Sequence, residues 1–209
     1  MTLDVSSMLT KLSSAGMATS NRYAVQMQIP TKLQAQSEFN IDGYSLGEVL
    51  NFYCDSVTTP TKQITTAQHR DHGVGINYAT GTVYGEVTLN LLSPKDLDFN
   101  RFFEEWYSII HDDTGNKVSY YDEIVSPKMT IYKLEKNGKK NNKWSTSITG
   151  RWEIENALPY NISPYQLSSA RTQLLKTRIS FKVERYRFVR GGAFRLAAEV
   201  LGNVSLFDD

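Results

Sequence analysis

Leu175-Lys176-Thr177-Arg178-Ile179-Ser180-Phe181-Lys182-Val183-Glu184-Arg185-Tyr186-Arg187-Phe188 is the stretch whose pattern decides the fold. Leu175, Ile179, Phe181 and Val183 fall on one side, and Lys176, Arg178, Lys182 and Glu184 on the other. That period of two marks a long strand with one dry and one wet face. Upstream, Trp144 to Ile154 repeats it: Trp144, Thr146, Ile148, Trp152 and Ile154 share a face with Gly150, while Arg151, Glu153 and Glu155 share the other. A lysine- and asparagine-rich loop, Lys136 to Asn142, joins this strand to another predicted over Met129 to Glu135. Further strands are predicted over Arg22 to Ile29, Leu50 to Val57 and Val83 to Leu91. Between the first two, Thr31 to Gly47 reads as a long loop, and Leu158 to Pro164 as a turn-rich connection.

One segment has the other period. Phe99, Phe102, Phe103, Trp106 and Ile110 recur at helical spacing, so a helix is predicted over Leu97 to His111, with Ser93-Pro94 as its start signal. Leu3, Val5, Met8, Leu9 and Leu12 form a short apolar stripe at one end of the chain. Phe194, Ala197, Ala198 and Leu201 form another after Gly191-Gly192. The predicted organisation is therefore an arm over 1–21, a β domain over 22–188 and an extension over 189–209. The predicted fold is mainly β, a sandwich or partial barrel with one flanking helix and short helical arms. Its core is expected to hold Phe52, Cys54, Phe102, Phe103, Trp106, Trp144, Trp152 and Phe181. Cys54 is included because it alternates with Leu50 and Phe52.

The chain has 209 residues, with Lys+Arg 23 against Asp+Glu 22 and a formal net charge of +1. That balance argues against a dedicated nucleic-acid binder, which carries a basic surplus. The single cysteine forms no internal disulfide, and Met1-Thr2-Leu3-Asp4 opens no signal peptide, so maturation in the cytoplasm is expected. No run approaches the 18 or so apolar residues of a membrane span, so no membrane partner is expected.

Candidate chemistry is sparse. His69-Arg70-Asp71 superficially matches a kinase catalytic loop, but the partner motifs are missing. His69 and His72 flank Asp71 without the further donors a metal site needs. The four lysines from Lys136 to Lys143 suit a solvated hairpin tip, or contacts with phosphates. No catalytic, cofactor or metal residue is assigned, and no enzyme activity is expected.

Five segments, in order, resemble the tail-tube family of contractile-tailed phages, whose relatives include type VI secretion inner-tube proteins. They are Ala15 to Met27, with its Asn21-Arg22-Tyr23 lead into a strand; Leu50 to Pro60, with Cys54 before a Pro exit; Phe102-Phe103-Glu104-Glu105-Trp106; Gly150-Arg151-Trp152 through Ile162; and Ile179 to Phe188. The resemblance implies a non-catalytic virion protein of the tail, assembled in the host cytoplasm as a homo-hexamer in stacked rings. It also implies sheath, tape-measure and baseplate partners and the transient passage of DNA. On that reading Arg151, Glu153, Lys176, Arg178, Lys182 and Glu184 are candidate lumen residues, while Leu9, Leu12, Phe194 and Leu201 are candidate inter-ring contacts. The residues after Phe188 depart from the family pattern and leave a tube initiator at the baseplate as the alternative. A soluble enzyme using His69 and His72, or a nucleic-acid module using the lysine-rich hairpin, are the readings from other classes.

Overall fold

The structure is a computed structural model that describes residues 5–6, 9–10, 16, 18–36, 46–70, 73–112, 114–140, 143–165, 167–169 and 174–190. One sheet of six strands dominates it, in the order β1-β8-β9-β10-β5-β2, all neighbours antiparallel. The strands are β1 (Tyr23–Met27), β2 (Cys54–Thr58), β5 (Val87–Leu92), β8 (Ser126–Lys140), β9 (Lys143–Ile162) and β10 (Lys176–Arg190). The sheet curls into a nearly closed barrel, and the chain is mainly β as its pattern predicts. Two small ribbons stand apart: β3 (Lys62–His69) with β4 (Ile76–Tyr84), and β6 (His111–Asp112) with β7 (Lys117–Val118).

The dry face of the sheet wraps around α3 (Asp98–Ile110), whose buried residues are Phe99, Phe102, Phe103 and Trp106. Phe103 stacks on Trp106 with ring centroids 6.0 Å apart, and both rings reach Phe181 of β10, at 6.1 and 6.2 Å. Trp106 also satisfies its one polar atom, donating from Nε1 to the carbonyl of Ile124 at 2.8 Å. Val25, Met27, Leu89, Leu91, Met129, Ile131, Ile154 and Ile179 complete the core. The helix begins at Asp98, not at Ser93-Pro94, because Leu97 precedes it in a left-handed conformation with φ 54 and Ser93 is held elsewhere, its hydroxyl 2.6 Å from that of Thr177.

Two expectations near the first strands need correction. The predicted loop over Thr31 to Gly47 contains α1 (Thr31–Gln36), and the predicted strand from Leu50 is helix α2 (Leu46–Tyr53) until Cys54. Leu50 and Tyr53 are spaced for one helical face: Leu50 is fully buried and Tyr53 meets Phe99 edge-on at 5.4 Å. Phe52, two residues from Leu50, is thereby turned outward, and at 49% exposed it is not a core residue. The helical turn matters for closure. Asn51 accepts the backbone N–H of Val25 at 2.8 Å, and Tyr23 donates its hydroxyl to the carbonyl of Cys54 at 2.9 Å, so α2 and the start of β2 fasten the outer edge of β1.

Later strands are longer than predicted. β9 runs through Pro159 to Ile162, where the turn-rich connection was expected, with a bulge at the Ser180/Phe181 step of its pairing to β10. The predicted strand from Val83 to Leu91 is broken at Gly85-Glu86 into the end of β4 and the start of β5. Of the helical arms, Val5, Ser6, Leu9 and Thr10 have helical backbone, while 191–209 lie outside the described residues.

Candidate functional site

The first feature is an asymmetry of edges. β1 is tied to α2 and to the start of β2 at the barrel seam by two hydrogen bonds, but β10 pairs with β5 only from Lys176 to Phe181. From Lys182 to Arg190 its partner among the described residues is β9 alone. β8 leaves its β1 ladder at Lys133, with the Leu134 N–H still donating to the carbonyl of Arg22 at 3.1 Å, and among the described residues continues to Lys140 with β9 as its strand partner. Among the described residues, β10 thus runs past the core with the backbone donors and acceptors turned away from β9 left open, which is a template for another strand. The sheet's apolar face runs out with it: Trp152 packs on Phe188 at 5.2 Å, yet Phe188 remains 53% exposed.

The second feature is the β3–β4 ribbon, which the sequence pattern does not reveal. Its two strands pair from Lys62↔Tyr84 to His69↔Ile76. At its base Gly85 donates to the carbonyl of Thr61 at 2.8 Å, and a Cβ at Gly85 would lie 2.1 Å from the Thr61 hydroxyl, so only glycine fits there unless Thr61 moves. Tyr84 packs edge-on against Tyr186 of β10 at 5.5 Å and anchors the ribbon to the open strand. Register places Val83, Tyr78 and Ile76 with Ala67 on one ribbon face. Ile76 is 69% exposed, Tyr78 51% and Val83 52%, so this ribbon face shows apolar side chains to water.

The third feature is the wet face of the long strands. Of the lumen candidates, Arg151 and Glu153 come together, Arg151 Nη2 lying 2.9 Å from Glu153 Oε1. Lys176 instead meets Asp55 at 2.8 Å, and Lys182 meets Glu86 at 3.8 Å while its ammonium lies 4.5 Å from the centre of the Tyr160 ring. Glu184 accepts from Asn156 Nδ2 at 2.6 Å, and Arg178 is exposed on β10. That asparagine has φ 53, a left-handed turn it tolerates better than most side chains. Across from it Glu184 and Arg185 are consecutive and both exposed. Alternation therefore slips by one residue. Arg185 and Arg187, which strict alternation groups with Val183, stand opposite Glu155 and Glu153. Arg185 donates to Glu155 Oε2 from Nε at 2.9 Å and Nη2 at 2.6 Å, and Arg187 Nη2 lies 3.1 Å from Glu153 Oε2. The adjacent charges Glu184-Arg185 were the one sequence signal of this slip.

The remaining candidates are placed as follows. Phe102, Phe103, Trp106 and Phe181 are fully buried, while Trp152 and Cys54 are half-buried. The side chain of Trp144 lies outside the described ones, as do Leu12, Phe194 and Leu201. Leu9 is exposed. His69 sits exposed on β3, and Asp71 and His72 lie outside the described residues. Among the described residues, no group of three His, Cys, Asp or Glu could hold a metal. Burial pushes the Cys54 thiol up to about 11, the opposite of a nucleophile's tuning. What the geometry offers is surface for assembly: an open edge, an apolar ribbon and a charge-paired face.

Comparison with known proteins follows the same line. The family described as phage tail tube protein matches residues 18–189. A chain of the sheath-tube complex of an extracellular contractile injection system, in the extended state, superposes with a TM-score of 0.55 at 14% identity, covering 87% of this chain and 97% of that one. The tube-terminating cap of the anti-feeding prophage gives 0.56 at 12%, covering 84% and 92%. A chain of that prophage's baseplate gives 0.52 at 15%, covering 84% and 97%. At these identities the likeness is one of fold. No curated protein matches the chain.

Proposed function

The chain belongs to the phage tail tube protein family, and from that premise we propose that it is a structural tail subunit whose copies close into six-membered rings and stack into a tube. The observation that carries this reading is the sheet's uneven edging: fastened at the β1–β2 seam and, among the described residues, open on one side of β10 beyond Phe181. An unpaired strand flanked by an apolar ribbon is an aggregation liability unless other copies cover it, and closing a ring covers every such edge at once. Six copies is the number carried over from the family resemblance. Stacking ring on ring is a head-to-tail contact that propagates without closing. The charge-paired wet face then lines the channel, through which DNA passes. Sheath, tape-measure and baseplate proteins are the expected neighbours, and assembly takes place in the host cytoplasm. The domain organisation proposed with it keeps 22–188 as the tube unit, with 1–21 and 189–209 as attachments.

A second reading is favoured by one observation: the family match stops at residue 189, and 190–209 lie beyond it. A specialised ring at the baseplate, the tube's initiator, suits a chain with such an addition. Negative-stain electron microscopy of concentrated purified protein tests both. Long hollow filaments support the ordinary tube and single rings the initiator. A lone monomer at every concentration overturns both.

A further inference from the structure

On β9 and β10 the arginines and carboxylates are arranged as a ladder. Glu153 is the shared rung: Oε1 faces Arg151 at 2.9 Å and Oε2 faces Arg187 at 3.1 Å, and its side chain is only 17% exposed. One register step away, Glu155 takes a two-pronged contact from Arg185. The guanidinium groups of Arg185 and Arg187 are mostly exposed, and exposed ion pairs contribute little to folding, about 0–1 kcal/mol each, so the weight of these two pairs falls on the field above the face. The guanidinium fork that fits a carboxylate also fits a phosphate. Arg185 and Arg187, two positions apart on one strand, stand roughly 7 Å apart, close enough to engage one nucleic-acid backbone together.

We infer that Glu153 and Glu155 act as internal counterions that keep Arg151, Arg185 and Arg187 from gripping the phosphodiester backbone of nucleic acid at this face. The inference rests on the tube reading only for its setting, the channel wall. Its physical content belongs to the single chain. A wall with these arginines released would hold DNA electrostatically; with them paired it lets DNA slide. The two carboxylates are thus specificity-determining residues for cargo passage, acting by occupying donors that nucleic acid would otherwise take.

The test is fluorescence anisotropy of a labelled 20-base-pair duplex with the full chain, kept below its assembly concentration, at 50 mM NaCl. The wild-type chain is expected to bind weakly. E153Q/E155Q is expected to bind at least tenfold more tightly, with an affinity that falls more steeply with salt, the log–log slope growing by about 2 to 3 for three released cations. Adding R151Q, R185Q and R187Q to that variant is expected to return binding to the wild-type level. Thermal unfolding of each variant within about 3 °C of wild type confirms that the fold is intact, and charge-reversed R185E/R187E serves as the non-binding reference. Equal affinity of wild type and E153Q/E155Q overturns the inference, as does tight binding that survives removal of the arginines. Nuclease protection in assembled particles separates the two levels: enhanced binding by the free variant without channel-protected DNA leaves the inference standing and counts against the tube setting.

Discussion

Placing lysines on the ribbon should separate folding from assembly. Ile76 and Tyr78 are 69% and 51% exposed in the single chain, so I76K/Y78K removes almost nothing from the core. Surface changes of this kind alter stability by about 0.5 kcal/mol or less. For a chain of this length that amounts to a Tm change of roughly 2 °C or less. On a neighbouring copy the ledger differs. Fully burying a side chain of this size contributes about 1.5–3 kcal/mol, so covering the exposed parts of both contributes about 2–4 kcal/mol per contact. At 1.4 kcal/mol per factor of ten, the concentration at which assembly begins should rise about 30- to 700-fold. Sedimentation velocity across a concentration series reads the onset, and differential scanning calorimetry of the dilute protein reads the fold. An unchanged onset refutes the ribbon as a docking arm. A Tm loss of many degrees in the dilute variant refutes the claim that these side chains are idle in the lone chain.

Other expectations are narrower. W106F leaves the Ile124 carbonyl without its 2.8 Å donor and opens a small gap between Phe102 and Phe103; at about 2–3 kcal/mol, Tm should fall roughly 5–10 °C, and a fall under 2 °C would show the indole is not a keystone of the core. Cys54, held at about 11 against an ordinary 9.0 chiefly by burial, has about 100-fold less thiolate near neutral pH, so its alkylation should be at least that much slower in the native than in the denatured chain; comparable rates would contradict its placement. The Glu135 carboxylate is held below its ordinary 4.5, first by the hydrogen bond from Lys133 and then by the Thr19 N–H. A depressed pKa stabilises above the unfolded value and loses that contribution as pH falls through the folded one. The Thr19 amide resonance should therefore shift with an inflection below pH 4.5, and an inflection at or above that value would rule out the tether.

The parts of the fold most legible in the sequence are those with one strong period. The Phe99-Phe102-Phe103-Trp106 stripe reads only as a helix, and Ile179-Phe181 with Ile154 reads only as half-buried strand. Where two periods coexist the reading fails: Leu50, Phe52 and Cys54 alternate, but Leu50 and Tyr53 also share a helical face, and packing against Phe99 decides for the helix. The β3–β4 ribbon is illegible for a different reason. Its Thr-, Gln- and Ala-rich strands pack on no core, so no burial imprints alternation on them. The wet face was legible as a set of charges, yet not as pairs, because the left-handed turn at Asn156 shifts the register of faces just where Arg185 and Arg187 join it.

On the tube reading, the side of β10 that is open among the described residues is completed by another copy. Hydrogen–deuterium exchange resolved to single amides over 182–190, in dilute chain and in assembled particles, tests it most directly. Alternate amides on this stretch, those turned away from β9, should exchange freely in the dilute chain and become protected at least a hundredfold on assembly. Unchanged exchange there, in particles that have demonstrably formed, would contradict it.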